Sequence, residues 1–257
     1  MSSYTEARDV ASAVAALAAG ARPIAGGTDL VVGARHGKAP LPASLVGIHR
    51  IPGLSDITEA DGVIRIGSLV SHASILGSSV LTLAAPGLLD ASSIVGSHAT
   101  RANGTIGGNV MNASPAMDTG APLLCHGAGV VLTGPSGTRR VALEDLWTGP
   151  GRTSASPDEL MEAVELPAPP AGSGSAYVRL QYRRQMEIAV VGAAAYVELD
   201  GDTITTARVA ITALTPVICR VPAAEEALVG HRLDANDMSA GGFSADLGQT
   251  ATIRAAG

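Results

Sequence analysis

The sequence has only two cysteines, Cys125 and Cys219, in 257 residues. That scarcity excludes a disulfide framework, and it excludes a cysteine-ligated iron–sulfur cluster carried by this chain alone. Both thiols read as ordinary buried side chains. Basic residues are also few: 17 lysines and arginines stand against 23 aspartates and glutamates, giving a formal net charge of -6 with no basic tract. Binding to a nucleic-acid backbone needs a basic face, so that partner is excluded. Although 46% of the residues are hydrophobic, the longest apolar runs, such as Ala189 to Ala195, are short and interrupted by glycine. A membrane span needs ~20 apolar residues, so a soluble protein is expected. The N-terminal Met1-Ser2-Ser3-Tyr4-Thr5-Glu6-Ala7-Arg8 lacks a basic region leading into an apolar one, and the expected location is cytoplasmic.

Familiar site motifs are missing as well. The histidines, His36, His49, His72, His98, His126 and His231, show neither H-x-x-x-H nor H-E-x-x-H spacing, so no metal site is expected. A Rossmann site needs G-x-G-x-x-G between a strand and a helix, and Gly127-Ala128-Gly129 lacks the third glycine. Neither glycine pair is followed by the Gly-Lys-Ser/Thr of a Walker loop.

What is present is a pair of glycine-rich stretches, Ala25-Gly26-Gly27-Thr28-Asp29-Leu30 and Gly104-Thr105-Ile106-Gly107-Gly108-Asn109. Adjacent glycines lack Cβ atoms and permit positive φ, so successive backbone N–H groups can converge on an anion such as a pyrophosphate. Taken singly, either pair is most often just a turn. The first follows a short strand pattern, Arg22 to Ala25, and precedes a helix that Thr28 or Asp29 can cap, an arrangement that favours an anion twice over.

Along the chain, Tyr4 to Ala19 reads as a helix ending at Gly20. Ser44 to Ile48 and Gly62 to Gly67 read as strands, Ser68 to Leu83 and Pro86 to Val95 as helices, and Gly96 to Asn103 as irregular. A turn covers Pro115, and Asp118 opens a short helix. Gly129 to Thr133 and Thr138 to Val141 form a hairpin, and Glu162 to Pro167 is a strand. The stretch from Ala168 to Ser175 is the clearest composition shift and marks a domain boundary. Beyond it come strands at Ala176 to Gln181, Ala189 to Leu199 and Thr203 to Ala213, then a helix from Pro222 to Val229. Ala235 to Gly257 gives only a weak helical signal.

The run of motifs resembles the flavoprotein (medium) subunit of molybdenum hydroxylases, a family that includes carbon monoxide dehydrogenase and xanthine dehydrogenase. The residues that carry the resemblance are Ala25 to Leu30, Arg101, Gly104 to Asn109, Ala113-Ser114-Pro115 with Asp118, Thr148 to Thr153 and Pro157 to Leu160, in the family's order and spacing. The resemblance implies an α+β fold: a two-part FAD-binding domain of the vanillyl-alcohol oxidase (PCMH) type over residues 1–170 (subdomains 1–55 and 56–170). A small C-terminal sheet-plus-helix domain would follow over residues 175–257.

It also implies roles. Ala25, Gly26, Gly27, Thr28, Asp29 and Leu30, with Thr105, Ile106, Gly107, Gly108 and Asn109, would hold the FAD pyrophosphate through backbone N–H groups. The Thr28 and Thr105 hydroxyls would add further donors. Asp118 would accept ribitol or ribose hydroxyls, Asn112 would touch the flavin, and Met161 would lie near the adenine side. Arg179, where lysine is usual, would sit near the isoalloxazine edge. Arg183, Arg184 and Glu187 to Ala189 match a segment near the flavin ring and the approach of an electron acceptor, and read without the family they are a charged loop. The chain departs from the family at Arg101-Ala102-Asn103-Gly104, where Arg-Asn-x-Gly is usual, and at its C-terminus.

The expected function is an FAD-binding electron-transfer subunit. Molybdopterin would sit on a large subunit and iron–sulfur clusters on a small one. No catalytic residue is expected on this chain. The alternatives are a free-standing FAD-dependent oxidoreductase, for which Tyr182 and His98 are the acid–base candidates, and a non-catalytic nucleotide-binding scaffold.

Overall fold

A computed structural model describes residues 3–37, 39–183, 186–233 and 254–255 of the chain. The N-terminal part is β1 (Ser3–Glu6), α1 (Val10–Ala18), β2 (Arg22–Ile24), α2 (Leu30–Arg35) and β3 (Ser44–Gly47). Its strands form a parallel sheet in the order β1-β3-β2. The helix expected from Tyr4 starts later, because residues 3–6 pair with residues 44–47 and Asp9 supplies the cap. The Asp9 carboxylate accepts the Ser12 N–H at 2.7 Å, which satisfies one of the donors a helix start leaves open. Ala13, Val14 and Leu17 of α1 are buried with Val46, Ile48 and Leu54 in a small core of their own.

The middle part runs through β4 (Ile57–Ala60), β5 (Val63–Gly67), α3 (His72–Leu76), α4 (Ser79–Ala84), α5 (Pro86–Ser93), α6 (His98–Asn103), α7 (Ile106–Asn112) and α8 (Gly120–Cys125). It continues with β6 (Gly129–Gly134), β7 (Gly137–Ala142), α9 (Leu143–Leu146), β8 (Trp147–Gly149), β9 (Arg152–Thr153) and β10 (Leu160–Pro167). An antiparallel five-stranded sheet results, in the order β4-β5-β10-β6-β7. The single helix expected over Ser68 to Leu83 is broken in two, since Gly77 ends α3 and the Ser78 hydroxyl caps α4 at Leu81 N–H, 3.3 Å away. The stretch read as irregular contains α6, started by the Ser97 hydroxyl at 3.1 Å from Thr100 N.

The C-terminal part is β11 (Ser173–Leu180), β12 (Val191–Asp200), β13 (Thr203–Thr212), β14 (Cys219–Arg220), α10 (Pro222–Leu228) and β15 (Arg254–Ala255). Its sheet has the order β14-β13-β12-β11-β15. Residues 173–175, read as boundary, already belong to β11, and the Ser175 hydroxyl accepts the Gly87 N–H at 3.1 Å. Apart from the β15 residues, the tail beyond Leu233 lies outside the described residues, as does Arg184.

One apolar core runs from the middle sheet through α5 and α8 into the C-terminal sheet. Ile64, Ile66, Leu88, Leu123 and Leu132 are fully buried in it, each stabilising the fold by ~1.5–3 kcal/mol. A polar clamp crosses the same junction. Asp118, in the turn before α8, accepts Tyr177 Oη–H at 2.7 Å and Arg179 Nη1–H at 2.7 Å, both from β11. Arg179 also donates to Gln181 Oε1 at 2.7 Å and to the Ile94 carbonyl at 3.3 Å. No helix among the described residues is long and apolar enough to cross a membrane.

Candidate functional site

A cleft of about 1080 Å³ opens between the N-terminal sheet and the middle part. The first glycine stretch forms one wall, as the connection from β2 to α2, and the second forms the facing wall at the start of α7. The two stretches touch. A Cβ on Gly26 would overlap the Asn103 carbonyl oxygen, so only glycine lets the first loop lie against the backbone that leads into the second.

The site residues expected from the sequence divide into two groups. Ala25, Gly26, Gly27, Thr28, Asp29, Leu30, Thr105, Gly107, Gly108, Asn109, Asn112 and Met161 line this one cleft. Ile106, Asp118 and Arg179 do not line it. Ile106 is buried in the main core. Asp118 and Arg179 are spent on each other: the Arg179 side chain is 1% exposed, and both carboxylate oxygens of Asp118 already accept hydrogen bonds within the chain. Burial pushes the Asp118 carboxyl above its ordinary value, against the pull of Tyr177 and Arg179. Burial and the neighbouring carboxylate push the Tyr177 hydroxyl upward, so it remains a donor. In this geometry the two residues clamp β11 to the turn before α8.

The N–H groups of the two stretches differ. Those of the second are already bonded within the chain: Ile106 N to Val70 O at 2.9 Å, Gly107 N to Ser68 O at 3.0 Å, Gly108 N to Thr105 Oγ1 at 3.1 Å and Asn109 N to Thr105 O at 3.0 Å. For Gly26 to Leu30, the described residues supply no acceptor. The expectation that both stretches present converging N–H groups is therefore corrected: only the first leaves its N–H groups open among the described residues, and the second builds the opposite wall. Gly107 shows why. A Cβ there would meet Ser68 Cβ and the Ser68 carbonyl oxygen at 2.6 Å, so its glycine serves the packing of α7 on the segment after β5, not the space for an anion.

The cleft wall also holds residues to which motif reading assigns no role. Arg22 and Arg152 line it as cations without an ion pair among the described residues, whereas Glu159 is paired to Arg139 at 2.6 Å. The Arg139 hydrogen bond holds the Glu159 carboxyl below the usual carboxylate range. Ser68 and His72 also line the cleft; both are buried, and Ser68 Oγ and His72 Nδ1 lack a partner among the described residues. Arg152 falls in the Thr148 to Thr153 run that carried the resemblance, but nothing in the sequence distinguished His72 or Ser68. His98 and Tyr182 lie outside the cleft, and Tyr182 is 88% exposed.

A cleft slightly larger than the ~300–1,000 Å³ range of small-molecule sites suits an extended ligand. Unpaired N–H groups, flanking cations and orphaned polar side chains suit one that carries phosphate and hydroxyls. Fold and site thus define a nucleotide-cofactor-binding protein, and the residues present fit FAD.

Comparison with known proteins makes the class specific. Residues 1–169 match the model of the FAD binding domain in molybdopterin dehydrogenase, and residues 175–246 match the CO dehydrogenase flavoprotein C-terminal domain. The chain belongs to the family of FAD-binding subunits of molybdopterin dehydrogenases. It is 34% identical over 234 residues to the carbon monoxide dehydrogenase medium chain of Afipia carboxidovorans, covering 90% of this chain and 81% of that one. It is 33% identical over 224 residues to the xanthine dehydrogenase FAD-binding subunit of Escherichia coli O157:H7, covering 85% and 76%. Among solved structures, reconstituted CO dehydrogenase from Oligotropha carboxidovorans superposes with a TM-score of 0.86 at 31% identity, over 93% of this chain and 84% of that one.

Proposed function

We propose that this chain is the FAD-binding electron-transfer subunit of a heteromeric molybdenum hydroxylase of the cytoplasm. Separate large and small subunits would hold molybdopterin and iron–sulfur clusters, and a small molecule would accept the electrons. The observation that carries this reading is that Gly26 to Leu30, whose N–H groups have no acceptor among the described residues, line a long cleft closed by the second glycine stretch. Bound FAD would supply the redox chemistry. The chain's own part is to bind and orient it. Gly26 to Leu30 would meet the pyrophosphate with backbone donors, and Thr28 and Thr105 would add hydroxyls. Asn112 and Met161 would line the two ends of the cofactor.

The two matched segments, 1–169 and 175–246, support an FAD-binding domain over residues 1–170 and a C-terminal domain from 175. A role in passing electrons, with substrate oxidation elsewhere, is supported by the two-cysteine count and by the position of His98 and Tyr182 outside the cleft. Purified chain reconstituted with FAD is expected to show flavin absorption bands and to co-purify from its host with a molybdenum-containing and an iron–sulfur subunit. A colourless protein after reconstitution sinks the FAD assignment. A chain that runs alone and oxidises a substrate without molybdenum sinks the subunit assignment.

A further inference from the structure

His72 opens α3, directly after the Ser68 to Ser71 segment, and its backbone is fixed to the second glycine stretch: its N–H donates to Gly104 O at 3.1 Å. The side chain is 1% exposed yet lines the cleft. A Cβ placed on Gly104 would lie 3.5 Å from His72 Cδ2 and 3.5 Å from Thr28 Oγ1. The imidazole edge carrying Cδ2 and the Thr28 hydroxyl therefore flank one small space, at the place where the two glycine stretches meet. Of the two ring nitrogens, Nδ1 is buried without a partner, which leaves Nε2, the neighbour of Cδ2, as the one that a ligand in the cleft can meet.

The ring is neutral at physiological pH, because burial, helped by the Arg101 charge, holds its pKa down to about 4. It carries one proton, on one nitrogen or the other. A buried N–H without an acceptor is rarer and more costly than a bare lone pair, so Nδ1 is the bare nitrogen and Nε2 bears the proton. This tautomer follows from the environment of the ring.

We propose that His72 is a cofactor contact, its Nε2–H donating a hydrogen bond to an oxygen of the phosphate-bearing half of FAD where the two glycine stretches meet. The proposal rests on the reading that the cleft binds FAD. A neutral donor adds a directed hydrogen bond without adding a third cation to Arg22 and Arg152.

The test uses the full chain as wild type, His72→Leu and His72→Gln, with flavin fluorescence titration for affinity and the thermal midpoint without FAD for folding. Replacing the ring by leucine is expected to weaken FAD binding about tenfold, the worth of one hydrogen bond to a charged acceptor. ADP, which carries only the phosphate-bearing half, should lose the same factor. Glutamine, which keeps an N–H donor, should recover most of the affinity. The FAD-free midpoint of His72→Leu should match or exceed wild type, because the orphaned Nδ1 is removed. FAD or ADP affinity of His72→Leu within about twofold of wild type overturns the contact. So does a FAD-free midpoint that falls together with affinity when glutamine restores neither. Wild-type chain that takes up no FAD is a different result, since it overturns the FAD reading on which the contact depends.

Discussion

Replacing Arg179 by methionine separates two accounts of that residue. The Arg179 guanidinium is engaged at every side, with Asp118 Oδ2 at 2.7 Å, Gln181 Oε1 at 2.7 Å and the Ile94 carbonyl at 3.3 Å. Methionine fills much of the volume and removes the charge. Asp118 would then be buried with only the Tyr177 hydroxyl as donor, and breaking a buried pair from one side costs about 3–5 kcal/mol. That is a large part of the ~5–15 kcal/mol that a domain has in total. The carboxyl already sits above its ordinary value through burial, and without Arg179 it rises further. A carboxyl whose folded pKa exceeds its unfolded one destabilises the fold increasingly as pH rises above the unfolded value, so the loss should be larger at pH 8 than at pH 5. Urea unfolding of the FAD-free chain, followed by circular dichroism, measures it. The double variant Asp118→Asn/Arg179→Met should regain part of the loss, because no charge is left without a partner. A loss below about 1 kcal/mol, or a double variant no better than the single one, would refute the clamp. Unchanged stability with weakened FAD binding would return Arg179 to the flavin.

Other substitutions test the walls of the cleft and the core. Gly107→Val should lower the thermal midpoint without FAD by several degrees, since its side chain meets the Ser68 backbone and overpacking costs about 1–3 kcal/mol; a normal midpoint with lost FAD binding would place the side chain in the anion space after all. Gly26→Ala should force the two glycine stretches apart and weaken FAD binding, read by fluorescence titration. His126, fully buried with Nε2 at 3.1 Å from Ser175 Oγ, has its pKa held down to about 4 by burial and the Arg208 charge. The unfolded chain takes up that proton first, so stability present above about pH 6.5 is lost as pH falls toward 4, by about 3 kcal/mol for this residue. In urea titrations at several pH values, His126→Gln should flatten the part of the acid slope due to this residue, and an unchanged slope would count against a buried neutral ring. Trp147→Phe removes the 3.0 Å hydrogen bond to the Val110 carbonyl and should cost about 1 kcal/mol.

Much of the fold was legible where turn chemistry is local. Gly134 to Gly137 and Asp200-Gly201-Asp202 mark hairpins that the structure contains, because the residues that permit such turns sit in the turn itself. Elements that depend on distant partners were not. β1 is exposed along its whole length and exists through pairing with residues 44–47, and β4 shows no alternation that would separate it from a loop. The same division runs through the site. The glycine pairs announce two walls, but the N–H of Gly107 finds its acceptor in Ser68, and Asp118 finds Arg179 across 61 residues. Motif position assigned Asp118 and Arg179 to a ligand, whereas packing gives each of them to the other. His72 was invisible for the complementary reason, since a lone histidine acquires meaning only when the fold removes its water and leaves a nitrogen unpaired.

The open N–H groups of Gly26 to Leu30 also make that segment a natural reporter. With no acceptor among the described residues, they should exchange hydrogen for deuterium quickly, while their counterparts at Ile106 to Asn109 are bonded within the fold and should be protected. Deuterium uptake confined to the first stretch would then count the fraction of loaded chains in a mixture, with the second stretch as its internal standard.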